Sequence, residues 1–183
     1  MDNYCISYCI DKDNKIIYVS DEWLPFAEEN KAGNLTPDAV LNKSIFDFIN
    51  DIESLHIYKL LLDRTRAHQK PVEFSYRCDS PDKRRYMTMT IKPDEDDVIS
   101  FKSCIVKEEV RKPVPILDVD AKRSNDMINI CSWCKKIKVS DSRWVEIEEG
   151  IRELALFDTF PLPQLTHGMC STCYEIARKK FSS

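Results

Sequence analysis

The feature that most constrains this chain is a pair of CxxC motifs near its C-terminal end. The first motif places Cys131 and Cys134 in ICSWCKKI, and the second places Cys170 and Cys173 in HGMCSTCYE, with 35 residues between the two pairs. A tetrahedral metal takes its ligands from separated segments in this way. Four thiolates match zinc or iron, and a closed set of four leaves no position for a reacting water. The spacing therefore predicts a structural zinc site held by these four cysteines.

Alternatives for this cluster stay open. Four reduced cysteines can also pack as small hydrophobic side chains, although regular spacing favours ligands. His167 lies three residues before Cys170 and can replace one cysteine, or hydrogen-bond to a ligand sulfur or a nearby carbonyl. The all-cysteine site is favoured because each CxxC already supplies a complete knuckle. Basic side chains near the motifs would offset the negative charge of the thiolates: Lys135, Lys136, Lys138, Arg178 and Lys179.

Composition and charge restrict the domain count and the partners. A chain of 183 residues with 43% hydrophobic residues can bury one good core and a small tail. Residues 1–120 carry 17 basic and 23 acidic side chains, and residues 121–183 carry 10 and 8. Nucleic-acid-binding domains normally show a concentrated basic stripe. The charge distribution therefore argues against nucleic acid and leaves only the slightly positive tail as a candidate for it.

The N-terminal residues and the glycine count exclude further classes. MDNYCISYCIDKD lacks the pattern of a signal peptide, and no run of apolar residues has the length of a membrane span. We therefore expect a cytoplasmic protein without membrane contact, whose eight cysteines are thiols or metal ligands rather than disulfides. Only three glycines are present, so neither a P-loop nor a dinucleotide-binding fingerprint can form.

The first part of the chain alternates between strand and helix patterns. A hairpin is predicted from the alternation of Ile6, Tyr8 and Ile10, followed by IIYVS from Ile16. Helix starts are predicted at the capping residues Ser20, Thr36, Ser44 and Asn50. The last of these opens the longest helix, which is expected to reach about Lys70 and to bury Ile52, Leu55, Tyr58 and Leu62.

After Pro71 the hydrophobic period changes to two. Three strand patterns follow, in VEFSYRC, RRYMTMTI and VISFKSCIV. Two strands, several helices and three further strands indicate an α+β fold, with an antiparallel sheet and helices on one face.

The prolines of RKPVPILDVD indicate a boundary. We predict a sensor-like domain over residues 1–110, a linker over 111–126 and a cysteine-rich zinc-binding tail over 127–183. The tail is expected to be helical, because Trp144, Ile147, Ile151 and Leu154 recur at helical spacing between the two motifs. PLPQLTHG is predicted to be a loop, and YEIARKKF a short basic helix.

Residues 1 to about 110 resemble a PAS domain, the small α+β sensor module of signalling proteins. The resemblance is carried by ISYCIDKDNKIIYVSDEW, SIFDFI and PVEFSYRCDSPDKRRYMTMTI. The tail resembles the CSxCK…W…HGxCxxC segment that follows sensor modules in bacterial signalling proteins, and the whole chain resembles a stand-alone PAS protein with such a tail. The resemblance implies a five-stranded antiparallel sheet with flanking helices, and a pocket that takes a small, unidentified ligand.

The resemblance also implies a role without catalysis. No kinase, cyclase or DNA-binding output follows the PAS-like part, so a separate signalling protein or a second copy of the chain is expected as partner. The cysteines at positions 5, 9, 78 and 104 do not match the flavin motif of the LOV subtype. Paired carboxylates, a nucleophile beside a base and an open metal site cannot be assembled from the motifs, and no enzymatic activity is predicted.

Several single residues have two interpretations. His56 lies on the long predicted helix, where haem-binding PAS proteins place an axial ligand, but one histidine does not predict haem. Met87 and Met89 line either a pocket or the plain core of a strand. Trp133, inside the first CxxC, is either a packing anchor or a contact for a partner.

The sequence therefore predicts a non-catalytic PAS-type sensory or adaptor protein with a structural four-cysteine zinc site, acting through protein contacts. Two alternatives are kept. One is a redox sensor in which oxidation of the zinc thiolates switches the interaction surface. The other is a regulator that binds nucleic acid through the tail.

Overall fold

The computed structural model describes residues 4–49, 51–156 and 159–181. Its first part contains five strands, Cys5–Ile10 (β1), Ile16–Val19 (β2), Val72–Arg77 (β3), Lys83–Pro93 (β4) and Ile99–Val110 (β5). They form one antiparallel sheet in the order β2-β1-β5-β4-β3. The predicted five-stranded antiparallel sheet is confirmed. Among the described residues, no helix combines the length and the apolar character needed to cross a membrane.

The helices of this part lie between β2 and β3. They are Trp23–Glu29 (α1), Pro37–Val40 (α2) and Ile52–His68 (α3), with a 3-10 turn over Ile45–Phe48. The hydroxyl of Thr36 accepts a hydrogen bond from the backbone N–H of Ala39, and that of Ser44 accepts one from Phe46. Both predicted caps are therefore confirmed.

Two other predicted helix starts differ from the structure. The hydroxyl of Ser20 accepts a hydrogen bond from the backbone N–H of Ser7, while Glu22 occupies the cap position of α1 without a side-chain hydrogen bond. The predicted cap Asn50 lies outside the described residues. Asp51 caps α3, and its carboxylate accepts a hydrogen bond from the N–H of Ser54 at 2.7 Å.

The main core lies between the sheet and α3. Ile10, Ile91 and Phe101 contribute side chains with no exposed area from three of the strands. The buried face of α3 consists of Ser54, Ile57, Leu61, Leu62 and Thr65. Of the predicted face, Leu62 is buried and Tyr58 packs against the core, whereas Ile52 is 81% exposed, so the prediction is wrong for Ile52.

The C-terminal part contains a second sheet that the sequence did not predict. Its elements are Arg123–Cys131 (β6), Ile137–Ser140 (β7), Arg143–Val145 (β8), Ile147–Glu153 (α4), Leu162–Gly168 (β9) and Ser171–Phe181 (α5). The strand order is β8-β7-β6-β9, with β6 and β9 parallel. The expectation of a purely helical tail is therefore wrong. A short 3-10 turn, Pro115–Leu117, precedes this sheet.

Two local predictions in the tail are corrected by the same sheet. Trp144 lies in β8, so the predicted helix from Trp144 to Leu154 is reduced to α4. The segment PLPQLTHG contains β9 rather than a loop. Its pairing partner, β6, is more than 30 residues away in the sequence, and Pro163 is tolerated because β9 is an edge strand. Hydrophobic periodicity in the sequence reveals neither this distant pairing nor the edge position of the strand.

A smaller core lies under the second sheet. It is formed by Val114, Ile116, Ile130, Ile137, Ile147, Ile151 and Leu156. Gly150 permits α4 to approach β7 closely, because a Cβ atom at this position would lie 3.2 Å from Cβ of Ile137. The tail therefore has packing of its own besides the cysteine cluster.

Cys5 and Cys104 form a disulfide bond between β1 and β5. They occupy facing positions in the antiparallel register, with Cα atoms 4.1 Å apart. The expectation that all eight cysteines are thiols or metal ligands is therefore wrong for this pair. The sequence gives the spacing of cysteines along the chain but not the register that brings these two together.

Candidate metal centre

The first CxxC forms a tight turn between β6 and β7. The backbone N–H of Cys131 donates to the carbonyl of Lys136 at 2.8 Å, and the N–H of Lys135 donates to the carbonyl of Cys131 at 3.0 Å. Lys135 adopts a left-handed conformation with φ of 61°, which reverses the chain direction. The turn thereby places the sulfurs of Cys131 and Cys134 on the same side of the chain.

The second CxxC spans the junction between β9 and α5. Parallel pairing sets Cys131 opposite Gly168, and the N–H of Ser132 donates to the carbonyl of Gly168 at 2.8 Å. The backbone N–H of Cys170 points at the sulfur of Cys131, and that of Cys173 points at the sulfur of Cys170, each at 3.4 Å. The β6–β9 pairing therefore brings the two motifs together.

The four sulfur atoms form a compact cluster. All four lie within 4.8 Å of one another, and the sulfurs of Cys134 and Cys170 are 3.7 Å apart. A tetrahedral zinc with Zn–S bonds of roughly 2.3 Å would require sulfurs about 3.8 Å apart, so the spacing fits. Cys131, Cys170 and Cys173 are buried, and Cys134 is partly exposed. The four cysteines are positioned to hold a metal ion.

The thiols of the cluster share charge unevenly. Hydrogen bonds from the thiols of Cys134 and Cys173 lower the pKa of Cys131 far below its usual value. The same contact with Cys131 raises the pKa of Cys134 to about 12, and contacts with Cys131 and Cys134 raise the pKa of Cys173. One thiolate is stabilised at the expense of its neighbours. A cation would be required to hold four thiolates at this spacing.

His167 does not join the cluster. It lies on β9 with an exposed ring, and the ligand-atom cluster found among the described residues contains the four cysteines only. Partial desolvation of the ring and the nearby charge of Lys135 lower the pKa of His167. The cluster thus offers a complete set of sulfur ligands without this residue.

Trp133 attaches the first CxxC to the five-stranded sheet. Its side chain is buried, and its ring stacks on that of Phe74 with centroids 4.6 Å apart and an interplanar angle of 6°. Its backbone carbonyl accepts a hydrogen bond from the N–H of Arg77, at the end of β3, at 2.7 Å. The choice between packing anchor and exposed contact is settled in favour of the anchor.

A partly buried ion network joins the tail to the β3–β4 hairpin. Arg77 contacts Asp79, whose side chain has no exposed area, and donates to Glu146 at 2.6 Å. Arg84 and Arg111 both contact Glu148, at 2.8 and 3.2 Å. Burial disfavours the charge of Arg77, but its hydrogen bonds to Asp79 and Glu146 outweigh burial and raise the pKa of Arg77. No motif in the sequence marks these residues as an interface.

A separate cavity of about 250 Å³ lies between the sheet and α1. Met89 lines it together with aromatic side chains that include Tyr8 and Trp23, while Met87, with 1% exposure, lines a different groove, beside Trp133. The hydroxyls of Tyr76 and Ser103, both on its wall, are 2.8 Å apart. The cavity is thus mostly apolar with one polar pair.

The histidines of α3 do not face this cavity. His56 has an exposed side chain, and His68 is exposed in the last turn, where a positive charge suits the helix dipole. Neither residue lines the cavity. His56, the residue considered as an axial haem ligand, therefore lies on the solvent-exposed face of α3 and not on the wall of the cavity.

Comparisons with known proteins give structural neighbours but no sequence relatives. No family model matches the sequence, and no curated protein matches it. The PAS domain of BvgS from Bordetella pertussis superimposes with a TM-score of 0.44 and 20% identity, covering 56% of this chain and 76% of that domain. A sensory box sensor histidine kinase from Vibrio cholerae gives 0.40 and 13%, covering 61% and 84%.

Proposed function

We propose that the protein is a non-catalytic PAS-type sensory or adaptor protein whose Cys131, Cys134, Cys170 and Cys173 hold a structural zinc ion. The observation that carries the proposal is the cluster of four sulfurs within 4.8 Å, attached to the five-stranded sheet through Trp133. Zinc is favoured because four thiolates in a closed, mostly buried site suit its tetrahedral, redox-inactive coordination.

The metal would connect two segments that the β6–β9 pairing already brings close together. The turn between β6 and β7 and the first turn of α5 meet at the cluster. Zinc bound there would fix the direction of α5 relative to the sheet, and the positions of Ile176 and Lys180 on that helix with it. The role is structural, because the four cysteines leave no open position on the metal.

The cavity supports the sensory part of the proposal. Asn30 lines the cavity, and its side-chain oxygen accepts a hydrogen bond from the buried guanidinium of Arg85 at 2.9 Å. The neighbouring residue in β4, Arg84, contacts Glu148 of the tail at 2.8 Å. A small, mostly apolar ligand in the cavity would therefore contact Asn30. From there a short chain of contacts leads through Arg85 and its neighbour Arg84 to Glu148 in the tail. Coupling along this path belongs to the proposal.

Metal analysis tests the zinc site. Protein purified without chelator and without added metal should contain about one zinc per chain after gel filtration. Cys131→Ser combined with Cys170→Ser should remove the metal. Cys9→Ser provides the matched control, because Cys9 is a free thiol outside the cluster. Less than about half an equivalent of any metal in the unaltered protein would reject the four-cysteine site.

Redox sensing is a second candidate, favoured by the accessibility of the cluster. Cys134 and Cys173 border a surface groove of about 510 Å³, and Cys134 is partly exposed. Hydrogen peroxide would oxidise two thiolates to one disulfide and, taking up two protons, be reduced to two molecules of water, with release of the metal. The sulfurs of Cys134 and Cys170, 3.7 Å apart, are one candidate pair for this disulfide.

Zinc release into a colorimetric chelator during peroxide titration tests this candidate. Release that is reversed by a thiol reductant, together with a change in elution volume, supports a switch. Full metal retention at peroxide concentrations that oxidise a free zinc-thiolate peptide would leave the purely structural role.

A further inference from the structure

Strand β3 forms one edge of the five-stranded sheet, and part of its outer side is unpaired. The N–H of Cys78 donates to the carbonyl of Arg85 in β4 at 3.0 Å. Hydrogen-bonding direction alternates along an antiparallel strand, so the backbone groups of Glu73, Ser75 and Arg77 point away from β4. Arg77 uses its outward N–H to bind the carbonyl of Trp133 at 2.7 Å.

The outward groups of Glu73 and Ser75 have no such partner. Within residues 4–49, 51–156 and 159–181, no backbone or side-chain group hydrogen-bonds to their outward N–H and C=O groups, and both residues are exposed. The opposite edge of the sheet differs, because the backbone of Ile16 in β2 exchanges hydrogen bonds with residues 42 and 43. Proteins normally cover or blunt such edges. The open stretch of β3 is therefore a template for one added strand.

A trough that is apolar at one end and charged at the other lies beside this open edge of β3. One end is the groove of about 510 Å³, with Trp133 and the 54% exposed Ile176 on its wall. The other end is a cavity of about 440 Å³ with Lys70 on its wall. Lys180 borders both, so the two cavities adjoin at this residue, and each also has residues of β3 on its wall.

The second end of the trough is positively charged. Arg64, Lys70 and Lys180 line it, and none of them forms an ion pair with a described residue. Glu73 is the acidic residue of its lining. Pairing of β3 with β3 of a second copy would bring two such clusters together, which repulsion opposes. The charge instead suits an acidic segment.

We propose that the open edge of β3 binds an extended acidic segment of a partner protein by strand addition. The outward backbone groups of Glu73 and Ser75 pair with the added strand, its acidic side chains lie near Lys70 and Lys180, and an apolar side chain contacts Ile176. The inference deepens the proposed role in protein contacts and rests on it, by naming the surface and the chemistry of the partner.

Fluorescence anisotropy with zinc-loaded full-length protein tests the proposal. The probe is a labelled peptide of about eight residues that alternates valine with aspartate, and the control peptide carries lysine in place of aspartate. We expect the acidic peptide to bind at least tenfold more tightly. Ser75→Pro should abolish binding, because it removes an outward donor without breaking the β3–β4 ladder. Ser75→Val keeps the N–H and should bind normally.

Two further measurements keep the test decisive if Ser75→Pro fails to fold. The acidic peptide is also made in two N-methylated forms, one methylated at the odd-numbered amides and one at the even-numbered amides. One of the two forms should bind at least tenfold more weakly, because only one of these sets of amides faces β3. Lys70→Glu combined with Lys180→Glu should reverse the preference towards the lysine peptide. Equal binding of both peptides, or no binding up to about 1 mM, overturns the proposal.

Oligomeric state and metal content separate this inference from the proposed function. A concentration-dependent dimer that Ser75→Pro dissolves would assign the edge to a second copy and overturn the acidic partner. Zinc content is measured on the same samples. A normal zinc content without peptide binding rejects only the β3 inference, whereas absence of zinc rejects the metal site independently.

Discussion

The carboxylate of Asp51 caps α3 and also accepts a hydrogen bond from the hydroxyl of Ser132, inside the first CxxC, at 3.0 Å. One oxygen binds the N–H of Ser54 at 2.7 Å, and the other binds Ser132. The start of the longest helix and the turn of the first CxxC therefore both depend on one side chain. Together with the stacking of Trp133 on Phe74, this contact fixes the turn to the core of the five-stranded sheet.

Asp51→Ala should affect both features. Loss of the cap should lower the free energy of unfolding by about 1 kcal/mol, and loss of the bond to Ser132 should speed zinc transfer to a competing chelator. Thr36→Ala is the matched control, because it removes the cap of α2, whose hydroxyl hydrogen-bonds to the N–H of Ala39 rather than to a CxxC residue. Urea unfolding and chelator competition measure the two effects. Equal zinc transfer rates in the two variants would refute the coupling.

Removal of the Trp133 ring should destabilise the whole protein rather than the tail alone. Trp133→Ala deletes a buried ring stacked on Phe74 and should cost about 3–5 kcal/mol in the free energy of unfolding. Trp133→Phe retains an aromatic ring and should recover more than half of this loss. Thermal unfolding followed by circular dichroism measures both. Trp144→Ala, at a partly exposed position of β8, should have a smaller effect.

Stability should fall in acid because of the ion network. Burial alone would raise the pKa of Glu148, but its backbone hydrogen bond and the charges of Arg84 and Arg111 outweigh burial, so its pKa lies below the usual 4.5. A lowered pKa in the folded state contributes stability above the unfolded value, and this contribution is lost as the pH falls through the folded value. Urea midpoints measured between about pH 3 and 6 should therefore fall below pH 4.5.

Glu148→Gln provides the check on this assignment. The variant lacks the titrating carboxylate and should show a flatter decline of the urea midpoint over the same pH range. An identical pH profile in the variant and the unaltered protein would show that Glu148 does not contribute.

The disulfide makes a prediction about thiol content. Cys5 and Cys104 are joined, and six cysteines are free. Protein purified without reductant, denatured and treated with a metal chelator should therefore show six reactive thiols by colorimetric titration. Cys104→Ser should show seven, because it releases Cys5 and leaves the six free cysteines unchanged. Eight thiols in the unaltered protein would show that the pair is reduced under the conditions of expression.

Local sequence patterns predicted the fold of the first part of the chain. The features that they missed depend on how distant segments pair. Alternation of apolar residues and the Thr36 and Ser44 caps act over a few residues, so they can be detected in the sequence. The parallel pairing of β6 with β9 and the facing positions of Cys5 and Cys104 depend on register between distant segments. The same limit applies to the contacts of Trp133 with Phe74 and of Asp51 with Ser132.

The cysteine cluster was predictable because its spacing reflects ligand geometry rather than fold. CxxC turns are local structures, and two of them define a tetrahedral set before any tertiary contact is known. The sequence did not indicate which surface the turns would pack against. The attachment depends on Arg77 and Glu146, 69 residues apart, which no motif connects.

Removal of the metal should therefore loosen the tail in a defined order. With zinc extracted, hydrogen exchange of the backbone amides of Cys170 and Cys173 should accelerate, because the thiolates that accept hydrogen bonds from these amides lose their common ligand. Protection in β1 and β5 should remain, since their pairing and the core around Phe101 do not involve the cluster. The amide of Arg77 is the informative position, because it donates to the carbonyl of Trp133. Faster exchange at Arg77 in the metal-free protein, measured by hydrogen–deuterium exchange with NMR detection, would show that loss of metal reaches the edge of the five-stranded sheet. Unchanged exchange there would confine the effect of the metal to the tail.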